Sequence, residues 1–469
     1  MTVTRITHND AQTDLRAKRS PTLENGQRWW RTLYVLARLS HRWPLQWRGH
    51  SLHWKKLPTA AAHLRGLAFL LGLLIGTAAS ADEARVILLS WDGVRHDYLD
   101  RAEFPALARV QRQGARAERL IPVFPSSTFP NHVSLATGTW PDRHGIVDNV
   151  FRDHERGIFD YSNNANWITA EPLWVAAERQ AVRSALYFWV GSESDWNGTG
   201  THFRVRPFDA GVSENKKVEQ IIVWLDLPAA ERPRLIMSWW HGADKAGHRF
   251  GPDSPRIVRA IQEQDRELAR LLAALDARRA WSDTTLLIVS DHGMTHATHI
   301  LNLKDSLHEQ ELRADVLQSA GSAHIFLKDP VDAKRAVVFL NSLDGVRAYP
   351  RDAIPEHLRV HHPSRTGDIV ALATPPLRFG SLRSPKMLIS RAAMAIGSPQ
   401  GAHGYDPRHP DMAGILLAIG RGVAPGTRLP AAHVIDVAPT AARLLGIEPP
   451  HDAEGEALAG IGAPQEKSH

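Results

Sequence analysis

The pattern of this chain predicts an α/β fold, a doubly wound and mostly parallel sheet with a small inserted α+β subdomain. Three observations carry that prediction. First, apolar runs bounded by turn residues recur at Arg85–Ser90, Leu235–Trp239, Thr285–Ser290 and Ile415–Gly420. Continuous runs of this kind read as strands buried on both faces, of the parallel type. Second, helical patterns alternate with them. The clearest is 255–278, where Ile257, Ile261, Leu268, Leu272 and Leu275 share one face, Ser254 is placed to cap and Pro255 suits the first helical position. Strand–helix alternation argues a doubly wound sheet. Third, residues about 305–385 break the alternation. Short strand-like pieces at His324–Leu327 and Ile369–Leu372 surround a helical 332–343, which reads as an insertion.

Length and composition bound the rest. The 469 residues, 43% hydrophobic and 23% charged, suffice for a large core and exclude disordered, collagen-like and coiled-coil classes. The chain has no cysteine, which removes disulfide scaffolds, thiolate metal sites and Cys nucleophiles. Any transition metal must therefore be held by His and carboxylates. The net charge of +6 is uneven. Residues 1–81 hold 12 Lys and Arg against 3 Asp and Glu, a net +9, leaving 44 against 47, a net −3, for 82–469. The folded part lacks a basic footprint, so nucleic-acid binding is not expected.

The excess charge sits in a distinctive N-terminus. Residues 1–65 are a basic, Trp-rich extension without helical or strand period. Residues 66–81 follow with an apolar run, Leu67–Gly76, behind Lys55, Lys56 and Arg65, closing on Ala79-Ser80-Ala81. Basic, apolar and small residues in that order form a secretory signal, short for a spanning helix. Its distance from Met1 leaves two readings, a start codon set too far upstream or a cytoplasmic leader with an uncleaved anchor. Either way 82–469 is expected to be exported, periplasmic or extracellular, with the membrane touched only through the N-terminal segment.

The chemistry gathers at strand ends. Asp92 follows Ser90-Trp91, Asp244 follows the 235–239 strand, and Asp291 follows Ser290. Ligands of open α/β sheets bind outside the carboxyl ends of strands. A single Asp there is more often a cap or turn former. Here Asp291 is joined by His292, and Asp244 by His248 one helical turn later. His403 is set between Gly401-Ala402 and Gly404, where the backbone can approach a site closely. Three carboxylates and three imidazoles can hold two hard-to-borderline divalent ions, Zn²⁺ being the best match. The candidate nucleophile is Thr128, placed as the cap just before Pro130, where the positive end of a helix favours an alkoxide. Asn131 is placed to direct its amide at a phosphoryl oxygen. Phe129, with Phe208 or Phe203, is placed to sandwich a base, against the plainer reading of core packing.

These pieces resemble the nucleotide pyrophosphatase/phosphodiesterase family of the alkaline phosphatase superfamily. The resemblance rests on Ser90-Trp91-Asp92-Gly93, on Phe124 to Thr137, on Thr139 to Ile146 (TWPDRHGI) and on Glu171-Pro172-Leu173-Trp174. It continues through Asp244 to Pro252, Ser290-Asp291-His292-Gly293-Met294 and Ala402-His403-Gly404-Tyr405-Asp406, in the family's order, across about 85–450. It implies an alkaline phosphatase-like sheet and a catalytic phosphodiesterase domain over 82–469. It implies one zinc on Asp92, Asp291, His292 and the Thr128 oxygen, and another on Asp244, His248 and His403. It also implies attack of Thr128 on phosphorus, a phospho-threonine intermediate and a small nucleotide or other phosphodiester substrate. Two departures fall near the substrate groove: Trp240-His241-Gly242-Ala243-Asp244 lacks the acidic residue and Pro common before the first Asp, and Val190 replaces the usual Pro after Trp189. His241 there is a substrate contact or a filler.

The competing readings have sequence signatures of their own. A sulfatase needs its modified Cys or Ser in a C/S-x-P-x-R setting, which Ser126 and Ser127 lack. A phosphomonoesterase normally adds cations beside the phosphate, and no Lys or Arg lies within Phe124–Thr137. A phosphodiesterase for lipid or choline head groups, and a silent metal-binding protein, remain as alternatives.

Overall fold

The computed structural model describes residues 84–381 and 400–462, all within one compact unit, Ala79–His469. The N-terminal extension and the signal-like segment lie outside the described residues. None of the described helices is long and apolar enough to cross a membrane.

The main sheet has eight strands: β1 (Arg85–Trp91), β2 (Ala115–Ala117), β3 (Ser184–Tyr187), β4 (Phe203–Val205), β5 (Leu235–Trp240), β6 (Thr284–Val289), β11 (Leu416–Gly420) and β12 (Thr427–Leu429). Their spatial order is β12-β2-β11-β6-β1-β5-β3-β4. The run β6-β1-β5-β3-β4 is parallel throughout. Burial follows the strand period of two. Val86 and Leu88 join Met237, Leu287 and Val289 in the core on one face, while Ile87 and Leu89 join Ile236 and Ile288 on the other. Each such side chain contributes about 1.5–3 kcal/mol of burial, and helices cover both faces.

One strand corrects the sequence reading. Residues 416–420 form a strand, but it runs antiparallel to both β6 and β2. Its continuous apolar run reflects burial on both faces, which an internal antiparallel strand shares with a parallel one.

The second face is covered by α4 (Pro255–Ala277), with Ser254 accepting from Arg256 N at its cap. The five predicted face residues are all buried against Ile87 and Leu89. The inserted α+β unit is a separate four-stranded antiparallel sheet of order β7-β8-β10-β9, built from Ala314–Gln318, Ser322–Leu327, Ile369–Ala373 and Val346–Pro350 respectively. Helix α5 (Ala333–Ser342) packs on it.

Candidate metal centre and nucleophile

The three aspartates emerge from the three adjacent central strands. Asp92 follows β1, Asp244 opens helix α3 (Asp244–Phe250) behind β5, and Asp291 follows β6. Two glycines let these turns close on one another. Gly242, at φ +56°, sits where a Cβ would lie 2.1 Å from the Asp92 carbonyl oxygen, and Gly93, at φ +67°, would bring a Cβ within 2.8 Å of Asp244 Cα. Only glycine allows both the backbone angle and the approach.

The predicted ligands are brought together. His248 Nε2 lies 3.2 Å and His403 Nε2 3.6 Å from Asp244 Oδ1, and the two Nε2 atoms are 3.1 Å apart. Nearby, His292 Nε2 lies 3.5 Å from Asp92 Oδ1 and 3.2 Å from Asp291 Oδ2. Asp244 belongs to both groups, because its carboxylate also clusters with Asp92 and His292. The rings of His292 and His403 stack at 3.8 Å.

This set fits divalent cations. Asp92 Oδ1, Asp244 Oδ1 and Asp291 Oδ2 are buried and accept no hydrogen bond of good geometry, an arrangement proteins avoid unless a cation is to be held. Each histidine is oriented from behind. His248 Nδ1 faces the Gly401 carbonyl at 3.1 Å, His403 Nδ1 that of Ser126 at 3.0 Å, and His292 Nδ1 that of Gly293 at 2.9 Å. A carbonyl can only accept, so each Nδ1 carries the proton and each Nε2 presents its lone pair. The carboxylates are tuned apart. Burial, with the charges of Asp291 and Asp244, pushes Asp92 well above the usual carboxylate range. Burial also pushes on Asp244, but His248, His403 and His292 outweigh it and hold that carboxyl low.

Thr128 faces the Asp92 side, its Oγ1 3.4 Å from His292 Nε2. Its local role differs from the predicted cap. Helix α1 runs Thr128–Thr137 with Ser127 in the cap position, so Thr128 is the first helical residue. Its hydroxyl is thereby released from capping and points with the helix terminus into the site.

Asn131 is a correction. It is fully buried, its Oδ1 accepts from Val123 N at 2.7 Å, and its Nδ2 donates to the carbonyls of Pro125 and Ser127. Both of its N–H donors are spent on the loop that carries Thr128, so it shapes that loop and offers no N–H to a phosphoryl oxygen.

The aromatic pair also separates. Phe129 is 5% exposed and packs edge-on to Phe159 and Tyr161, at 5.8 and 5.3 Å. Phe208 stacks on Trp239 at 4.9 Å and meets Phe188, while Phe203 lies by Trp224 at the sheet edge. Phe129 and Phe208 thus belong to different apolar clusters. The open aromatic surface beside Phe129 is Tyr161, 54% exposed. Trp189 and Val190 are core residues. His241 is held by Glu214 and by Lys217, whose Nζ lies 3.2 Å from its Nδ1.

Three contributors escaped the sequence reading. Trp239 donates its indole N–H to Asp92 Oδ2 at 3.0 Å. His132 Nδ1 lies 2.9 Å from the Thr128 carbonyl and 3.3 Å from Asp291 Oδ2. Asn149 accepts from the N–H of Phe129, the residue after the nucleophile, at 2.8 Å. The i, i+4 spacing of Thr128 and His132 was visible in the sequence; the other two contacts join distant segments and carry no local signal.

Carboxylates and imidazoles gathered round a hydroxyl at the carboxyl edge of a doubly wound sheet define a metal-dependent hydrolase of phosphoric ester or anhydride bonds. Residues 86–406 match the type I phosphodiesterase / nucleotide pyrophosphatase family, and the chain belongs to that family. An uncharacterized pyrophosphatase/phosphodiesterase of Schizosaccharomyces pombe is 31% identical over 72% of this chain and 71% of its own length. A venom phosphodiesterase of Crotalus durissus collilineatus is 34% identical over 46% of this chain, which spans only 27% of that longer relative. Murine ectonucleotide pyrophosphatase/phosphodiesterase 5, solved as an inactive threonine-to-alanine variant in complex with AMP, superposes with a TM-score of 0.71. It is 25% identical, over 80% of this chain and 98% of that one.

Proposed function

We propose that this protein is an exported, zinc-dependent phosphodiesterase that cleaves phosphodiester or pyrophosphate links of nucleotides and their derivatives through a phospho-threonine on Thr128. The observation that carries this reading is the approach of Thr128 Oγ1 to His292 Nε2 within a ring of buried carboxylate oxygens that lack hydrogen bonds. Asp92, Asp291, His292 and Thr128 would hold one Zn²⁺, and Asp244, His248 and His403 the other. When bound, such ions lower the pKa of a coordinated hydroxyl and offset charge on the phosphoryl and leaving oxygens.

The chain's own residues do the positioning. Thr128 Oγ attacks phosphorus, the bond to the leaving oxygen breaks, and water later hydrolyses the phospho-threonine in a mirror-image step. The helix that begins at Thr128 turns its positive end toward the phosphoryl group. Trp239 fixes Asp92, His132 braces the first turn of the Thr128 helix beside Asp291, and Asn149 steadies the backbone beside the nucleophile. Tyr161, packed on the buried Phe129, offers a ring surface to a base. The relative bound to AMP supports a nucleotide as the organic part. The signal-like segment 66–81 supports export.

The test compares turnover of the p-nitrophenyl ester of thymidine monophosphate with that of p-nitrophenyl phosphate and p-nitrophenylphosphocholine, on the purified protein with added zinc. A strong preference for the nucleotide diester, abolished by chelator and by Thr128→Ala, is expected. A preference for the choline ester would replace the substrate. A preference for the monoester would refute the diester reading, and no turnover of any would favour a silent metal-binding protein.

A further inference from the structure

A cavity lies beside the metal centre. It has a volume of about 490 Å³ and lies along helix α3 on the side that carries Lys245 and Arg249, away from Asp244 and His248. Its walls come from the start of helix α2 (Glu214–Leu225), from His241-Gly242 and from α4. None of the proposed metal ligands lines it. It is large enough for a small organic ligand.

Two features of its lining are chemically unusual. The rim carries Lys245, Arg249, Arg256 and Arg259. The Arg249 and Arg256 guanidinium groups lie over the Phe250 ring, at 5.1 and 4.3 Å, and among the described residues no carboxylate pairs with any of the four. Of the two carboxylates in the wall, Glu214 is already answered by His241 at 3.5 Å and Lys217 at 3.9 Å. Glu263 alone offsets the rim. The second feature is Gln264 in the lining. It is only 3% exposed, yet neither its Oε1 nor its Nε2 has a hydrogen-bond partner. A buried amide with both functions unmet is strongly disfavoured, and a ligand that offers a donor and an acceptor together satisfies it.

We infer that this cavity is a second ligand site, distinct from the metal centre, that binds an organic phosphate: its anionic group on the Lys245, Arg249, Arg256 and Arg259 rim, and a neutral donor–acceptor edge against Gln264. Planar guanidinium groups match phosphate oxygens bidentately, and an amide reads a paired donor and acceptor edge in the same manner. The inference stands independently of the catalytic reading.

Metal-free protein separates the two sites. Stripped of cations, the centre loses the positive charge that would hold a phosphate among Asp92, Asp244 and Asp291, whereas the cavity keeps its own. Isothermal titration of chelator-treated, dialysed full-length protein with AMP is expected to give one saturable site. Adenosine and inorganic phosphate each carry half of the recognition and should each bind at least tenfold more weakly. The double variant Arg249→Ala, Arg259→Ala, made at exposed positions, should weaken AMP binding at least tenfold, and Gln264→Leu at least fivefold. Absence of AMP binding to the metal-free protein, or an affinity unmoved by the rim variant, would overturn the inference. Should Gln264→Leu fail to fold, the rim variant alone decides.

Discussion

Replacing Gly242 by alanine tests whether the close approach of the two strand-end turns sets the geometry of the metal centre. At this position an added Cβ would stand 2.1 Å from the Asp92 carbonyl oxygen and 2.8 Å from its nitrogen. An ordinary carbon–oxygen contact is about 3.2 Å or more, so the Asp92 turn must retreat by roughly 1 Å. Misplacement on the order of 1 Å in a catalytic constellation costs about 100-fold in rate. The left-handed backbone adds about 1–2 kcal/mol of strain. Gly157, at φ +84° with nothing within 4 Å of a built Cβ, provides the control: Gly157→Ala carries the same backbone penalty without the collision. Steady-state hydrolysis of the p-nitrophenyl ester of thymidine monophosphate, with urea unfolding alongside, measures both effects. The expectation is a kcat/KM lower by about 100-fold for Gly242→Ala against a change under threefold for Gly157→Ala, with Gly157→Ala losing about 1–2 kcal/mol of stability and Gly242→Ala losing more. If Gly242→Ala kept its activity within threefold of the parent, the contact between these turns would not be what positions Asp92.

Other perturbations separate roles within the site. Trp239→Phe removes the N–H that Asp92 Oδ2 accepts while keeping a ring for Phe208 to stack on. Chelator competition should show metal affinity lower by about 10- to 100-fold, and an unchanged affinity would count against an orienting role. Asn131→Ala strips partners from Val123 N and from two carbonyls. It should cost about 2–4 kcal/mol in urea unfolding; lost activity at full stability would restore the phosphoryl contact that its geometry denies. Asp148 gives a pH signature. Burial pushes it up to about 6 despite hydrogen bonds from Ser319 and Ser322. With the folded pKa above the unfolded one, its stabilising contribution is full below about pH 4 and is lost as pH rises through 6. Relative to Asp148→Asn, the parent should therefore lose about 2–3 kcal/mol between pH 4 and pH 7, and a difference independent of pH would contradict the burial argument.

Local pattern alone settles the parts of this molecule that depend on short-range order. Apolar runs of strand length, the face of the 255–277 helix and the turn residues after each strand are short-range features. Strand ends also carry the ligands in this fold class, so Asp92, Asp244, His248, Asp291, His292 and His403 could be singled out from position alone, and the structure brings all six together. Strand direction was not legible at 416–420, because an internal antiparallel strand buries the same continuous run as a parallel one. The residue type and spacing of Asn131 suit a phosphate contact, whereas the fold of the preceding loop decides what its amide meets. Trp239 on Asp92 and Asn149 on Phe129 join segments 147 and 20 residues apart. The cavity beside α3 gathers its lining from three separate stretches of chain. Contacts of that kind arise only when tertiary packing brings distant backbone together, and a one-dimensional pattern records which groups are available but not which ones meet.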